Sequence, residues 1–531
     1  MSNKKINKVE LNGDNLTIDI LKEIVFSRAK VIVGKSQLNK VHESFVCLDN
    51  LIRKGKIMYG VNTNMGGMRR HLISPSLGHE VQMNLLRAVS SNVGEFFDEV
   101  EVRAAMLARI HSLARGKSAI RVKNFKIFVD MLNKGIHPFI PQKGSLGTSG
   151  DLGPLAVIAL AATGEGWVKY QGKKLSAAQA LKRAKINPMK LTYKEGLALI
   201  NGTSMMVGVA ALVVNNFEIL NKSADIVGAF SVEALRGKVG PFDPRVHIHK
   251  PHIGQQITAQ NIFQLIKQSN MAVSEKELQK ILKSNCSHEG IGYSEVPVLD
   301  SYSIRCIPQV HGPVKEICKL TKTTIENELN SSNDDPLVLP EHEDCFHNGH
   351  FHGQYVSASM DQIAIGATTL GLISDRRIDL FLDKNHSAKL PAFLCDRNQE
   401  TRLGLMGCAF LTASLVAECR AKCTPISIQS VPSTEDFQDF VSFGLVSARR
   451  SREIVYDIAY ILAIELICAA QGADIRGIKK LSIAGKKTYE WVRMFCPFFS
   501  KDKSVTPYVE RVAEELRNGA LVKLHPEVKL G

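Results

Sequence analysis

Between Lys143 and Ala156 the chain reads KGSLGTSGDLGPLA. Four glycines and a proline suit neither a helix nor a strand. A phosphate cradle would read GxxxxGK[ST] after a strand, and the lysine is missing here. A plain connecting loop is one reading. The other lies in Thr148-Ser149-Gly150. In a tightly bent loop the Gly150 amide nitrogen can attack the Thr148 carbonyl, and loss of water closes a five-membered ring. Loss of a second water from Ser149 turns its Cβ into an exocyclic methylidene. Glycine at the third position leaves the attacking nitrogen unhindered and permits unusual dihedrals. The product would be an electrophile made from backbone alone.

Other residues can do chemistry too. Tyr59 opens the glycine-rich YGVNTNMGGM, either as a loop tyrosine or as a reactive phenol. Asn201 begins NGTS ahead of a long apolar stretch, as an N-cap would. Tyr302, Arg305 and Gln309 lie within DSYSIRCIPQVHGP. A guanidinium grips a carboxylate through two parallel bonds, or forms a structural ion pair. His247, His249, His252, His347, His350 and His352 form two clusters. Metal hydrolases place HxH at a strand end with a carboxylate ligand. Here Pro251 and helical flanks argue for loops, so no metal site is expected.

These residues need positioning, and the pattern is helical. The stretch 101–116 puts Val102, Met106, Ile110 and Leu113 on one face, with Gly116 as a stop. The stretches 201–235, 353–383, 403–422 and 440–470 read as long, broadly apolar helices, which implies a central bundle. Strand signals are KVIVG at 30–34 and a hairpin in GWVKYQGKKL at 166–175. Composition shifts near 200 and 475. The expected division is 1–200, 201–475 as the bundle, and 476–531 as a helical cap.

The 531 residues are 44% hydrophobic and 22% charged, which suits a globular chain with a large core. Net charge is +15, but the basic residues are scattered among acids without interleaved aromatics, so no nucleic-acid partner is expected. Eleven cysteines without a CxxC pair suit reduced thiols and a cytoplasmic location. The first residues lack the apolar core of a secretory signal. No uninterrupted apolar run reaches a membrane span.

The segment GSLGTSGDLGPLA resembles the signature of the aromatic amino acid lyases and aminomutases, which carry a methylidene-imidazolone (MIO) group. Most members have Ala-Ser-Gly; Thr-Ser-Gly resembles the bacterial phenylalanine aminomutases. YGVNTNMGGM, YSIRCIPQ, NSSNDDP, HNGHFHG and FQDF follow in the family's order, so the resemblance covers nearly the whole chain. It implies a mainly α, histidase-like fold, with a loop-rich N-terminal MIO domain and a bundle of long helices. It implies homotetramers whose sites draw residues from three subunits. The MIO would form from Thr148-Ser149-Gly150, with no metal and no PLP.

The resemblance also assigns roles. Tyr59 would be the base, which requires its pKa to be lowered from about 10. The Asn201 amide would support the MIO ring oxygen. Arg305 would clamp the substrate carboxylate, with Gln309 in the same motif, and Tyr302 would sit beside the reacting amine. Asn333 or Asn330 would give a polar substrate contact, next to Asp335 where the family usually has Asn. Phe351 would pack near the ring, and Gln438 would line the site. Thr434 stands where many lyases hold an acid, and Glu435 is out of register. Ala88 takes the family's selectivity position. With Val89, Leu152, Phe410 and Phe437 it would shape an apolar slot that suits phenylalanine. Three functions stay open: an aminomutase making β-phenylalanine through held cinnamate, an ammonia-lyase releasing cinnamate, and a silent binding protein with an uncyclised loop.

Overall fold

The computed structural model describes residues 8–286, 290–395 and 401–529. It is mainly helical, and its strands form two- and three-stranded sheets only. The chain forms two compact units. One comprises 1–213, 321–361 and 425–449; the other comprises 214–320, 362–424 and 450–531.

The first unit holds the strands. Strand β1 (Lys8–Leu11) pairs in parallel with β2 (Lys30–Val33); KVIVG signals only the second of these. Strand β3 (Val93–Phe96) pairs with β4 (Pro141–Lys143), which ends where the glycine-rich loop begins. The expected hairpin forms from β5 (Trp167–Tyr170) and β6 (Lys173–Ser176). A further hairpin joins β7 (Leu337–Leu339) to β8 (Asp344–Phe346), with Leu337 opposite Phe346.

Five helices of this unit matter for the site. Helix α1 (Lys35–Arg53) buries Cys47, Leu48 and Leu51. These pack with Met58 and Val61 on either side of Tyr59, and with Val338 and Cys345 of the β7–β8 hairpin. Helix α2 (Gly78–Val89), α4 (Leu152–Thr163) and α5 (Glu195–Ile200) pack on one another. Helix α3 (Glu99–Ala114) starts at an Asp98/Glu101 capping box, which satisfies two free N–H groups. Every residue from Glu101 to Ala114 is buried, so the one-faced pattern read from the sequence understates its burial. Its arginines are paired inside. Arg103 Nε and Nη2 donate to the Val25 and Ile24 carbonyls at 3.1 and 2.7 Å. Arg109 Nε donates to Ala198 O at 3.0 Å.

The long helices are α6 (Ser204–Ala234), α7 (Ile307–Leu329), α8 (Gln354–Leu382) and α10 (Gly444–Arg476), with the shorter α9 (Met406–Lys422). Helix α6 is one continuous helix over most of the 201–235 stretch. Among the described residues two helices, α6 and α8, are long and apolar enough on average to cross a membrane by length and composition, although neither holds an unbroken apolar run of that length. Scattered Ser, Thr and Asn interrupt those runs without lowering the average much. In α6 and α8, 83% and 72% of the most apolar stretch is buried in the protein, as in core helices.

In the second unit the helices enclose charge. Arg377 donates twice to Glu465, Nε to Oε1 at 2.5 Å and Nη2 to Oε2 at 2.9 Å. Ser231 and Ser374 hydroxyls donate to the same carboxylate, and all four side chains are buried. Asp225 accepts from His311 and pairs with Lys315 at 2.9 and 3.0 Å. Burial raises the Asp225 carboxyl, but Lys315 and the His311 and Asn261 bonds leave it below its usual range. Helices α11 (Ile483–Phe495) and α12 (Thr506–Arg517) complete this unit.

A buried ion pair that loses one partner strands the other charge, at a cost of about 3–5 kcal/mol. Glu465→Ala is therefore expected to lower the thermal midpoint by several degrees, as followed by circular dichroism. A midpoint within one degree of wild type would show that water or a rearranged partner takes over Arg377.

Candidate active site

The glycine-rich loop is pinned to the turn between α5 and α6. Gly202 N donates to Ser149 O at 3.0 Å, and Asp151 N donates to Gly202 O at 2.8 Å. A Cβ on Gly150 would sit 2.1 Å from Gly202 O, and one on Gly202 would sit 2.3 Å from Asn333 Oδ1. Both positions therefore need glycine. Gly147, Ser149 and Gly150 have φ of +92, +51 and +76°, and such a φ is uncommon for serine. The loop is the tight bend that the cyclisation reading requires.

Asp151 anchors the loop from beneath. It is fully buried and accepts from Ser145 Oγ at 2.9 Å and Met206 N at 2.7 Å. Burial pushes its carboxyl up to about 7, against these bonds.

Asn201 follows α5 as its C-cap, and α6 starts at Ser204, so Asn201 does not cap the long helix. Its amide nitrogen donates to Asp334 Oδ1 at 2.9 Å and Asp335 O at 3.1 Å. Asp334 is paired in turn with buried Lys194 at 2.6 Å. Both amide hydrogens are thus used, and buried Oδ1 is the atom left without a partner. The expected donation to a ring oxygen is not available in this arrangement.

Asn333 Oδ1 accepts from Arg109 Nη1 and Ser112 Oγ at 3.1 and 3.2 Å, and its Nδ2 donates to Thr203 at 2.9 Å. Asn330 is tied to the Leu16 backbone and His111. Neither lines a cavity at the loop. Both brace the loop's support, and neither takes the place on the cavity wall that a substrate contact requires.

Two cavities, each of about 730 Å³, meet at Tyr59, Thr148, Ser149 and Gln438. These volumes lie in the range of small-molecule sites. Ala88, Val89, Leu152, Leu85 and Leu197 line the first. Asn84, one turn before Ala88, lines it too, as does Glu435. Reading positions 88 and 89 alone misses Asn84, although the helical period predicts it. Phe351, Phe437, Arg69, Asp335 and His347 line the second. Arg69 lies 4.1 Å over the Phe437 ring; nothing in the sequence marks it.

The Tyr59 hydroxyl accepts from Gly66 N at 2.9 Å. Burial pushes the phenol pKa up, the Gly66 N–H lowers it, Asp335 raises it and Arg69 lowers it, leaving it above its ordinary value. The expected lowering is not found: among the described residues Arg69 is the cation that lowers the phenol, and burial outweighs it. Gln438 Oε1 accepts from Thr434 Oγ1 at 2.7 Å. The Thr434–Asp436 turn behind this bond is left-handed at all three residues, and it brings Glu435 to the first cavity.

Tyr302, Arg305, Gln309 and Phe410 belong to the other unit and line neither cavity. The Arg305 guanidinium lies 4.7 Å over the Tyr302 ring. Arg305 Nε and Gln309 Oε1 are buried without hydrogen-bond partners. Phe410 is 65% exposed on α9, so the expected slot of Leu152, Val89, Phe410 and Phe437 is not assembled. Leu152 and Val89 face one cavity and Phe437 the other. Among the described residues no group of three or more His, Cys, Asp or Glu is arranged to hold a metal ion.

Residues 16–494 match the aromatic amino acid lyase family, and the chain belongs to that family of MIO-dependent ammonia-lyases and aminomutases. The phenylalanine aminomutase structure of Pantoea agglomerans superposes with a TM-score of 0.93 at 45% identity, covering 96% of this chain and 98% of that one. The tyrosine ammonia-lyase of Cupriavidus metallidurans is 39% identical over 97% of both chains. The MIO-dependent tyrosine 2,3-aminomutase of Streptomyces globisporus is 38% identical over 97% of this chain and 96% of its own. The fold is the histidase-like one.

The close approach of Gly150 to Gly202 makes a test. Gly172 has the same φ of +76°, with nothing within 4 Å of its Cβ position. Gly172→Ala is expected to cost about 1 kcal/mol from its backbone alone. Gly150→Ala adds a clash with backbone and should cost roughly 3 kcal/mol or more. Equal losses in thermal unfolding would refute the close approach.

Proposed function

We propose that this protein is an MIO-dependent phenylalanine aminomutase that converts L-phenylalanine to β-phenylalanine through cinnamate held in the site. The observation that carries the reading is the meeting of two cavities at Ser149 and Tyr59, with the apolar wall of Ala88, Val89 and Leu152 on one side. The loop suits MIO formation: Ser149 is already left-handed, and Gly150 lies where no side chain fits. Once formed from Thr148-Ser149-Gly150, the group supplies an electrophilic carbon for the substrate amine.

This chain's residues do the rest. Tyr59 takes a proton from the substrate Cβ. Its Gly66 hydrogen bond holds the hydroxyl oxygen in place, so that oxygen is aimed before the substrate arrives. Ala88, Val89 and Leu152 hold the ring, and Phe351 and Phe437 keep the Tyr59 side dry. Arg305 grips the carboxylate, and its free Nε and the free Gln309 Oε1 suit that role. Tyr302 stands beside the amine. Since these residues line neither cavity, they are proposed to reach the site from neighbouring copies in a cytoplasmic homotetramer. Eleven cysteines outside any disulfide suit that compartment.

Two observations favour a tyrosine substrate as the second reading. Asn84 offers a partner for a ring hydroxyl on the Ala88 wall, and relatives include a tyrosine ammonia-lyase and a tyrosine aminomutase.

Peptide mass analysis tests the group. The tryptic peptide spanning Thr148–Gly150 should be lighter by two waters, and Ser149→Ala should restore the full mass and lose at least a thousandfold in kcat. An unmodified peptide in an active enzyme would refute it. Product analysis tests the reaction. L-phenylalanine should give β-phenylalanine as the main early product, with minor cinnamate, and ¹⁵N-ammonia in the buffer should label it poorly. Stoichiometric cinnamate and ammonia from the start would make the enzyme a lyase. A higher kcat/KM for L-tyrosine would establish the second reading.

A further inference from the structure

The β7–β8 hairpin brings two titratable residues to one end. Leu337 pairs with Phe346, so Asp335, just before β7, and His347, just after β8, lie side by side. Val338 and Cys345 of this hairpin pack with Met58 and Val61. One apolar cluster therefore holds both the hairpin and the turn that carries Tyr59.

The contacts at that end are specific. Tyr59 N donates to His347 Nε2 at 3.5 Å. The two rings meet edge to face, with centroids 6.3 Å apart at 85°. His347 Nδ1 lies 3.6 Å from Asp335 Oδ1. An imidazole that accepts at Nε2 carries its proton on Nδ1, and here that proton faces the carboxylate. Asp335 is itself fixed. Its Oδ1 accepts from Asn348 N at 2.8 Å, its own N–H donates to Asp334 at 2.8 Å, and its carbonyl accepts from Asn201 at 3.1 Å.

We propose that Asp335 and His347 are positioning residues for Tyr59: the imidazole holds the tyrosine main chain, and the carboxylate orients the imidazole and brings a negative charge to the cavity that the phenol also lines. The proposal deepens the reading of Tyr59 as the base and rests on it. The other charged and titratable groups around the cavities at Tyr59 are Arg69, His352, Glu435 and Asp439. Arg69 favours the phenolate and Asp335 opposes it.

Substituting Asp335→Asn keeps the shape and the oxygen that accepts from Asn348. It removes the charge that opposes the phenolate, so Tyr59 should ionise at lower pH, by about half a pH unit or more. Ultraviolet difference titration reads this without turnover, with a Tyr59→Phe twin of each protein isolating the Tyr59 signal. The limb of kcat/KM that rises with base ionisation should move to lower pH by the same amount. His347→Ala should lower kcat about tenfold with KM within twofold, because orientation is lost and binding is not. His347→Gln, which can accept from Tyr59 N and donate to Asp335, should recover most of that loss.

An unmoved Tyr59 titration in Asp335→Asn would overturn the carboxylate's role. Equal kcat in the His347→Ala and His347→Gln variants would overturn the imidazole's. A shifted titration in an enzyme whose Tyr59→Phe variant keeps full turnover would uphold the pair and overturn Tyr59 as the base, so the two failures are separable.

Discussion

Everything at the site depends on two backbone hydrogen bonds between the loop at Ser149 and the turn at Gly202. Between them Gly150 lies so close to Gly202 that a Cβ on it would overlap the Gly202 carbonyl. Fixing a loop residue costs about 1–2 kcal/mol of entropy, and a left-handed serine adds strain. The ladder to Gly202, the Asp151 bonds beneath and the packing of α2, α4 and α5 offset that cost. The Arg109–Asn333 and Lys194–Asp334 contacts then support the Gly202 turn from behind. Four fully buried charged residues of this unit, Arg109, Asp151, Lys194 and Asp334, thus serve a short piece of irregular chain.

Burial acts in the same direction on two acids at this site. It pushes Asp151 up to about 7, where a carboxyl beside a backbone loop can carry a proton. It also pushes the Tyr59 phenol up, away from the ionised form that a base needs. Arg69 and the Gly66 amide oppose the second effect but do not cancel it. In the proposed reaction the energetic cost of burial would therefore fall on the base.

Much of this was legible in the sequence. The loop announced itself through chemistry rather than periodicity, because glycines that suit no regular element need another reason. The long helices showed in their apolar breadth, and one tyrosine with one glycine-rich turn marked the Tyr59 segment. What stayed hidden is tertiary. Asn201 looks like a cap and Asn333 like a substrate contact in one dimension, yet their partners lie more than 120 residues away, and those partners engage the Asn201 amide nitrogen and both ends of the Asn333 amide. Arg69 and Asn84 carry no motif; only the fold turns them toward Ser149. Phe410 has the right chemistry for an aromatic slot, but it lies on an exposed helix face.

Two chambers with one shared wall separate tasks that most enzymes must serve with the same residues. In the proposed reaction the wall at Ala88, Val89 and Asn84 would meet the substrate ring, whereas Arg69, Asp335 and His347 line the second cavity, and Tyr59 faces both. A change on the first side can widen or narrow the range of accepted rings while the proton chemistry stays as it was. A change on the second can retune the base for a different acidity of the medium without altering which ring fits. Such a site can drift toward new substrates and new conditions independently, one residue at a time.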